Sequence, residues 1–252
     1  MASNQHVQSF AQLVGYPTQA PVPASKGVDG VHGTTVLALR FDGGILNVGD
    51  RRATMANYIM YDRADKIIPL DDSTLMAISG SFARSVEIAR YLRHAFKYYS
   101  RTQLQDLSLE GKLQEVTRAL SGNLQFALDG VGTFLPLISA YDETKDEFGI
   151  YMYDVLGARF QNDEFGAAGS GAERIRGVFD YVSRTKKPFD QRPLKDVLAE
   201  ALTMLDIAAS LDTATGGLDR VLPVAMVLTR DGTERLGDEQ VAAAVKESIR
   251  GR

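Results

Sequence analysis

The chain contains no cysteine, so any covalent chemistry it performs must use oxygen or nitrogen. Its histidines are His6, His32 and His94. A Ser-His-Asp arrangement would have to rely on His94, which stands among Tyr91, Leu92 and Phe96 in a stretch of helical period, where packing or a surface position is the default. There is no G-x-S-x-G elbow, no H-E-x-x-H pair, no phosphate-binding loop and no G-x-G-x-x-G after a strand. What remains are hydroxyls, carboxylates and amines in short clusters: His32-Gly33-Thr34-Thr35-Val36, Gly49-Asp50-Arg51-Arg52-Ala53-Thr54, Lys66, Ser79-Gly80-Ser81, Gly169-Ser170-Gly171 and Asp212-Thr213-Ala214-Thr215-Gly216-Gly217. Taken singly, each has a bland reading. Thr34 and Thr35 are β-branched residues that suit a strand. Lys66, before an apolar run, reads as an edge lysine with a solvated head. Asp50 ends a strand, Asp212 caps a turn or helix terminus, and Ser170 ahead of Ala172-Glu173 N-caps a helix. Arg51-Arg52 reads as a solvated pair and Thr215-Gly216-Gly217 as a flexible loop.

The elements that must hold these clusters follow from hydrophobic periodicity. Residues 1–33 carry Pro17, Pro21 and Pro23 and then Lys26-Gly27-Val28-Asp29-Gly30, with no sustained period, and read as a flexible leader. From Thr34 the run to Phe41, the turn Asp42-Gly43-Gly44 and the run Ile45 to Asp50 predict a hairpin. Lys66 to Leu70 and Thr74 to Ser79, separated by Asp71-Asp72-Ser73, predict a second. Two apolar stripes at helical spacing follow, Val86 to Tyr99 and Leu113 to Leu128, and predict a packed helix pair. Strand character returns over 134–140, 148–155 and 158–165, helical period over 172–187 and from Pro193 to Leu211, and strand character once more over Val224 to Thr229, before a polar tail. Strands, helix pair, strands, helix pair, strand: two sheets that each need one face covered by the other and one by helices make an α+β fold, a four-layer α-β-β-α sandwich.

The clusters in this order resemble the active-site set of proteasome β-type subunits, a family of N-terminal-nucleophile hydrolases, and the resemblance runs from Gly33 to about Thr229. It implies a threonine-type endopeptidase without cofactor or metal, made as a precursor. The propeptide would be residues 1–33, removed by autocatalytic cleavage of Gly33-Thr34, and residues 34–252 the catalytic domain. By the same resemblance Thr34 is the nucleophile, and Asp50 and Lys66 are its charged supports. Ser170, Asp212 and Thr215 form the hydrogen-bonding shell of the terminal amine, Thr215 standing where many members carry serine, and Arg52 is a nearby structural cation. Gly80 supplies the oxyanion N–H, substrate pairs as an added strand beside Thr54 and Gly80, and Ala53, Ala64, Ile78 and Phe82 line the specificity pocket. The implied partners are other β subunits in a homoheptameric ring, a second such ring, capping α-type rings, a ring-shaped ATPase activator and unfolded polypeptide substrates. Two alternatives stand beside this: a simpler two-ring, ATPase-activated peptidase without α subunits, and a structural ring subunit without catalysis.

These residue types suit that chemistry. A threonine hydroxyl is a poor nucleophile until a base takes its proton, and a chain-terminal α-amine, with a reference pKa of about 7.7–8.0, can be that base. A lysine beside the hydroxyl lowers the hydroxyl pKa, and an aspartate keeps that lysine charged and oriented. The bulk composition sets no obstacle. With 252 residues, 44% of them hydrophobic, the chain can bury a substantial core. Its 28 basic and 32 acidic residues give a net charge of −4 and no basic run that could track a phosphate backbone, so nucleic acid is not expected as a partner. No window approaches 18 apolar residues, and the start Met1-Ala2-Ser3-Asn4-Gln5-His6 lacks a basic and an apolar signal region, so neither a membrane nor export is expected and the cytoplasm is the expected location.

Overall fold

A computed structural model describes residues 34–55, 58–130 and 132–249. The expected leader, Gly33, His6 and His32 lie outside the described residues.

Strands β1 (Thr35–Phe41) and β2 (Gly44–Gly49) form the expected hairpin, with Leu37 opposite Val48 and Leu39 opposite Leu46. Alternation along β1 assigns each side chain to a layer. Leu37, Leu39 and Phe41 join Leu46 and Val48 against helices, whereas Val36 and Ala38 join Ile45 in the apolar seam between the two sheets. The first sheet has the order β10-β1-β2-β11-β12, with β10 (Phe165–Gly169), β11 (Val224–Thr229) and β12 (Gly232–Arg235). The second has the order β5-β6-β7-β8-β9: β5 (Ile67–Asp71), β6 (Thr74–Ala77), β7 (Leu137–Asp142), β8 (Glu147–Tyr153) and β9 (Arg159–Asn162). All of these neighbours pair antiparallel.

Helices α1 (Phe82–Gln103) and α2 (Leu109–Leu128) cover the outer face of the second sheet through Ile88, Leu92, Phe96, Leu113, Val116 and Leu120. Helices α3 (Ala172–Thr185), α4 (Leu194–Leu211) and α5 (Asp238–Ser248) cover the first, with Phe179 fully buried and stacked on Phe165 at 4.1 Å between centroids. The expected four-layer sandwich is the observed one. None of the helices among the described residues is long and apolar enough to cross a membrane.

Three details depart from the sequence reading. The run 158–165 is two strands: the chain turns at Asp163-Glu164, so β9 ends the second sheet and β10 begins the first. An additional short hairpin, β3 (Ala53–Met55) with β4 (Tyr58–Tyr61), stands outside both sheets, and every residue of β4 is exposed. The polar tail folds as β12 and α5, where Val241, Ala244, Val245 and Ile249 repeat at helical spacing and pack on the first helical core. A smaller adjustment concerns Pro193, which is the residue capping α4 rather than its first helical residue.

The antiparallel pairing brings the chemistry to one end of the sandwich. Thr34 immediately precedes β1 at the end where Asp50 follows β2, and Thr35 pairs with Gly169 at the end of β10. Lys66 immediately precedes β5, and Asp212 closes α4.

Candidate active site

Thr34 is buried, and its carbonyl is held by the backbone N–H of Ser170 at 3.0 Å. That close approach depends on Gly169, whose φ of +101° is costly for other residues and where a Cβ would lie 2.0 Å from the Thr34 oxygen. The chain therefore threads Thr34 into a fixed backbone slot before any side-chain chemistry is considered.

Beside that slot lies the Asp50–Lys66 pair. Lys66 Nζ donates to Asp50 Oδ1 at 2.6 Å, with both side chains fully buried. The same oxygen accepts the Thr35 N–H at 2.8 Å, while Oδ2 accepts the N–H groups of Arg52 at 3.0 Å and Gly216 at 2.8 Å. Four donors saturate the carboxylate, which is how a charge survives in this interior. Burial pushes the Lys66 ammonium below the ordinary lysine range, and the Asp50 carboxylate, by its charge and its hydrogen bond, offsets part of that push. Lys66 is therefore no snorkelling edge lysine, and Asp50 does more than end a strand.

A second carboxylate, Asp212, is linked to the same slot through Ser170. It is the C-cap of α4, its N–H bonding Ala208, so the capping reading is correct as far as it goes. Its carboxylate has a second set of partners: Oδ2 accepts Ser170 Oγ at 2.5 Å and Thr215 Oγ1 at 2.7 Å, and Oδ1 accepts the Ala214 N–H at 3.1 Å. Partial burial raises the Asp212 carboxyl, but the Ser170 and Thr215 hydroxyls, the Ala214 N–H and the nearby Arg174 charge outweigh it and hold the group below the usual carboxylate range. Ser170 does not cap α3, whose N-cap is Gly171 with no side-chain cap bond.

Arg52 ties the pieces together. Its Nη1 donates to the carbonyls of Thr213 at 3.2 Å and Thr215 at 3.1 Å, and its Nε to Asp62 at 3.3 Å. Gly80 sits where the chain passes Phe134 in an isolated bridge, with the ladder bonds made by Ser81 N–H to Thr133 and Leu135 N–H to Ser79. Gly80 is thus the non-bonded member of that ladder. Its φ of +90° and a would-be Cβ 2.2 Å from the Thr133 oxygen leave room for glycine alone.

The remaining predicted positions divide. Thr54 and Ala53 lie on β3 and are both buried, and Ala64 bonds the Arg51 carbonyl through its N–H at 2.9 Å. Ile78 follows β6, is fully buried in the core beneath α1, and donates its N–H to the Lys66 carbonyl at 2.8 Å. Phe82 begins α1 and packs against that same core, so these two carry packing whatever else they face. His94 lies exposed on α1, apart from this network. Sequence reasoning missed Asp62 as the partner of Arg52, the N–H groups of Gly171 and Gly216, and the hydroxyl of Thr35. Backbone donors leave no sequence signal; Thr35 had one, its place next to Thr34.

Comparison with protein families matches residues 31–218 to the family described as Proteasome subunit. Several curated relatives carry the description proteasome subunit beta. The one from Acidothermus cellulolyticus is 35% identical over 228 residues, covering 88% of this chain and 77% of its own. The one from Acidimicrobium ferrooxidans is 32% identical over 253 residues, covering 96% and 90%. The one from Streptosporangium roseum is 31% identical over 260 residues, covering 99% and 90%.

Proposed function

The chain belongs to the proteasome subunit family, and from that premise we propose that it is a catalytic β subunit, a threonine peptidase that cuts unfolded polypeptides with Thr34 after the Gly33-Thr34 bond is broken. The observation that carries this reading is the buried 2.6 Å bond between Lys66 and Asp50, whose shared oxygen also holds the backbone of the residue following Thr34. The Asp50 carboxylate also serves the fold as an acceptor for three backbone N–H groups, but the buried ammonium beside the start of β1 does not, and a positive charge there suits activation of a hydroxyl.

The chemistry follows from the neighbours. Cleavage of Gly33-Thr34 frees an α-amine on the same residue as the hydroxyl, so base and nucleophile arrive together. The Lys66 ammonium favours the alkoxide form of Thr34. Thr34 Oγ1 attacks the substrate carbonyl carbon as its proton passes to the α-amine. The resulting oxyanion takes the Gly80 N–H, a donor that the local ladder leaves over, and loss of such a donor costs roughly 3–4 kcal/mol in barrier. The α-ammonium then protonates the departing amine, and water, deprotonated by the restored α-amine, hydrolyses the ester. Ser170, Thr215 and Asp212 hold the surroundings of that amine. Residues 1–33 act as the propeptide and residues 34–252 as the mature domain.

Family membership carries assembly with other proteasome subunits in a ring. The fuller reading is a homoheptameric β ring paired with a second, capped by α-type rings and fed by a ring-shaped ATPase in the cytoplasm. Substrate lies as an added strand beside Thr54 and Gly80, with Ala53, Ala64, Ile78 and Phe82 around the side chain before the scissile bond, so apolar side chains are favoured there.

The test is Thr34→Ala. The variant is expected to form the same ring assembly yet to keep residues 1–33 by intact mass and to hydrolyse no peptide. Peptide turnover at the wild-type rate by that variant would remove Thr34 as nucleophile.

A further inference from the structure

Thr35 lies where the two halves of the site meet, and its side chain is fully buried. Its backbone belongs to the Asp50 half: the N–H donates to Asp50 Oδ1 at 2.8 Å and the carbonyl accepts the Asp50 N–H at 3.1 Å. Its hydroxyl belongs to the Asp212 half, 2.6 Å from Thr215 Oγ1.

The proton on that contact can be assigned. A hydroxyl has one proton to give. Thr215 gives its own to Asp212 Oδ2 at 2.7 Å, a carboxylate oxygen that can only accept. The proton between the two threonines must then come from Thr35, whose oxygen in turn accepts the Gly171 N–H at 3.2 Å. The order is Gly171 N–H to Thr35, Thr35 to Thr215, Thr215 to Asp212. Space fixes the arrangement further, because a Cβ at Gly171 would come within 2.3 Å of Thr35 Oγ1 and 2.9 Å of Thr215 Oγ1.

We propose that Thr35 is a positioning residue of the active site, its hydroxyl donating the first O–H of a one-directional chain to Asp212 and so fixing the Asp212–Thr215–Ser170 group relative to Asp50–Lys66 around Thr34. This rests on the reading of Thr34 as the nucleophile. No substrate atom need touch Thr35; it acts through the backbone it shares with Thr34 and through the two carboxylates it joins. A β-branched residue without a hydroxyl would fill the strand position equally well and would leave Thr215 without its donor and the Gly171 N–H without its acceptor.

The experiment compares Thr35→Val, which keeps the shape and loses the hydroxyl, with Thr35→Ser, which keeps the hydroxyl and loses the methyl, in assembled particles. Peptide hydrolysis is resolved into kcat and KM, and leader removal is followed by intact mass. The expected result for Thr35→Val is a fall in kcat of about tenfold or more with KM within roughly threefold, and slower leader removal, the pattern of lost transition-state positioning. Thr35→Ser is expected to recover most of the rate. Wild-type kcat in Thr35→Val, or equal impairment of the serine variant, overturns the proposal. If Thr35→Val does not assemble, Thr215→Val breaks the same chain one bond later and must give the same split between kcat and KM; an unchanged kcat there overturns it too. Failure of the underlying reading looks different: the wild-type particle itself would then keep residues 1–33 and hydrolyse nothing, and both claims would fall together.

Discussion

Asp50 and Asp212 both reach the Thr215-Gly216 turn near the start of β1 but are held in contrasting ways. Asp50 is 1% exposed and meets a full cation and three backbone N–H groups, drawn from Thr35, Arg52 and Gly216. Asp212 is only partly buried and meets two hydroxyls and one backbone N–H. The first carboxylate is paired with a charge that cannot be solvated if its partner leaves; the second is held by neutral groups that water can replace. A site built this way has one rigid wall, an ion pair beside the start of β1, and one adjustable wall, where losing a single neutral partner costs little stability.

The largest expected effect comes from breaking the rigid wall. Lys66→Ala leaves a buried, uncompensated carboxylate, and removing one partner of a buried pair costs about 3–5 kcal/mol. The variant is expected to unfold at correspondingly lower denaturant and to lose peptide hydrolysis and leader removal. If it keeps near-wild-type stability and rate, the pair has no special weight and the contrast with Asp212 disappears.

A second test asks whether the wall is an ion pair or something larger. Ordinary buried pairs can be replaced together by apolar residues with little loss. Here the double change Asp50→Leu with Lys66→Met would leave the N–H groups of Thr35, Arg52 and Gly216 without acceptors. At about 1–3 kcal/mol for each buried group left unpaired, the double variant is expected to be no more stable than Lys66→Ala alone. Recovery of wild-type stability in urea unfolding would show that the carboxylate serves the lysine and little else.

These two tests also mark where the sequence could be read and where it could not. The β1–β2 hairpin was legible because Asp42-Gly43 breaks two β-branched runs, and the two long helix pairs because their apolar stripes keep one period. The division of 158–165 into β9 and β10 was not, since Asp163-Glu164 interrupts a run whose residues suit one strand as well as two, and only the pairing with β8 and β1 separates them. The β3–β4 hairpin was hidden because Tyr58–Tyr61 exposes every residue and so shows no alternation. In the site, the charged and hydroxylic members Asp50, Lys66, Ser170, Asp212 and Thr215 could be singled out only through the family resemblance that their clusters carry, since each alone has a bland reading. The donors that saturate Asp50 are mostly backbone N–H groups, which every residue except proline has. Thr35 was overlooked because its strand role explains it completely until its hydroxyl is followed to Thr215.

The smallest effect is expected on the adjustable wall, and it carries a pH signature. Asp212→Asn keeps the size and one acceptor oxygen, so at neutral pH the loss of stability is expected to be about 1 kcal/mol, far below that of Lys66→Ala. The carboxyl of Asp212 is held below its ordinary range in the folded protein, whereas in the unfolded chain it titrates near the reference value of about 3.9. Between those two values the unfolded state binds more protons than the folded one, so stability rises with pH through that window. The contribution of Asp212 is therefore complete above the unfolded value and is lost as pH falls through the folded one. Urea unfolding of wild type and Asp212→Asn from about pH 6 down to about pH 2.5 should show the gap between them closing on the acid side. A gap that stays constant over that range would mean that the carboxylate's charge does not contribute, and that Asp212 works only as an acceptor for Ser170 and Thr215. In that case the two walls would differ in burial alone, and the acceptor oxygens of residue 212, rather than its charge, would set the geometry beside Thr34.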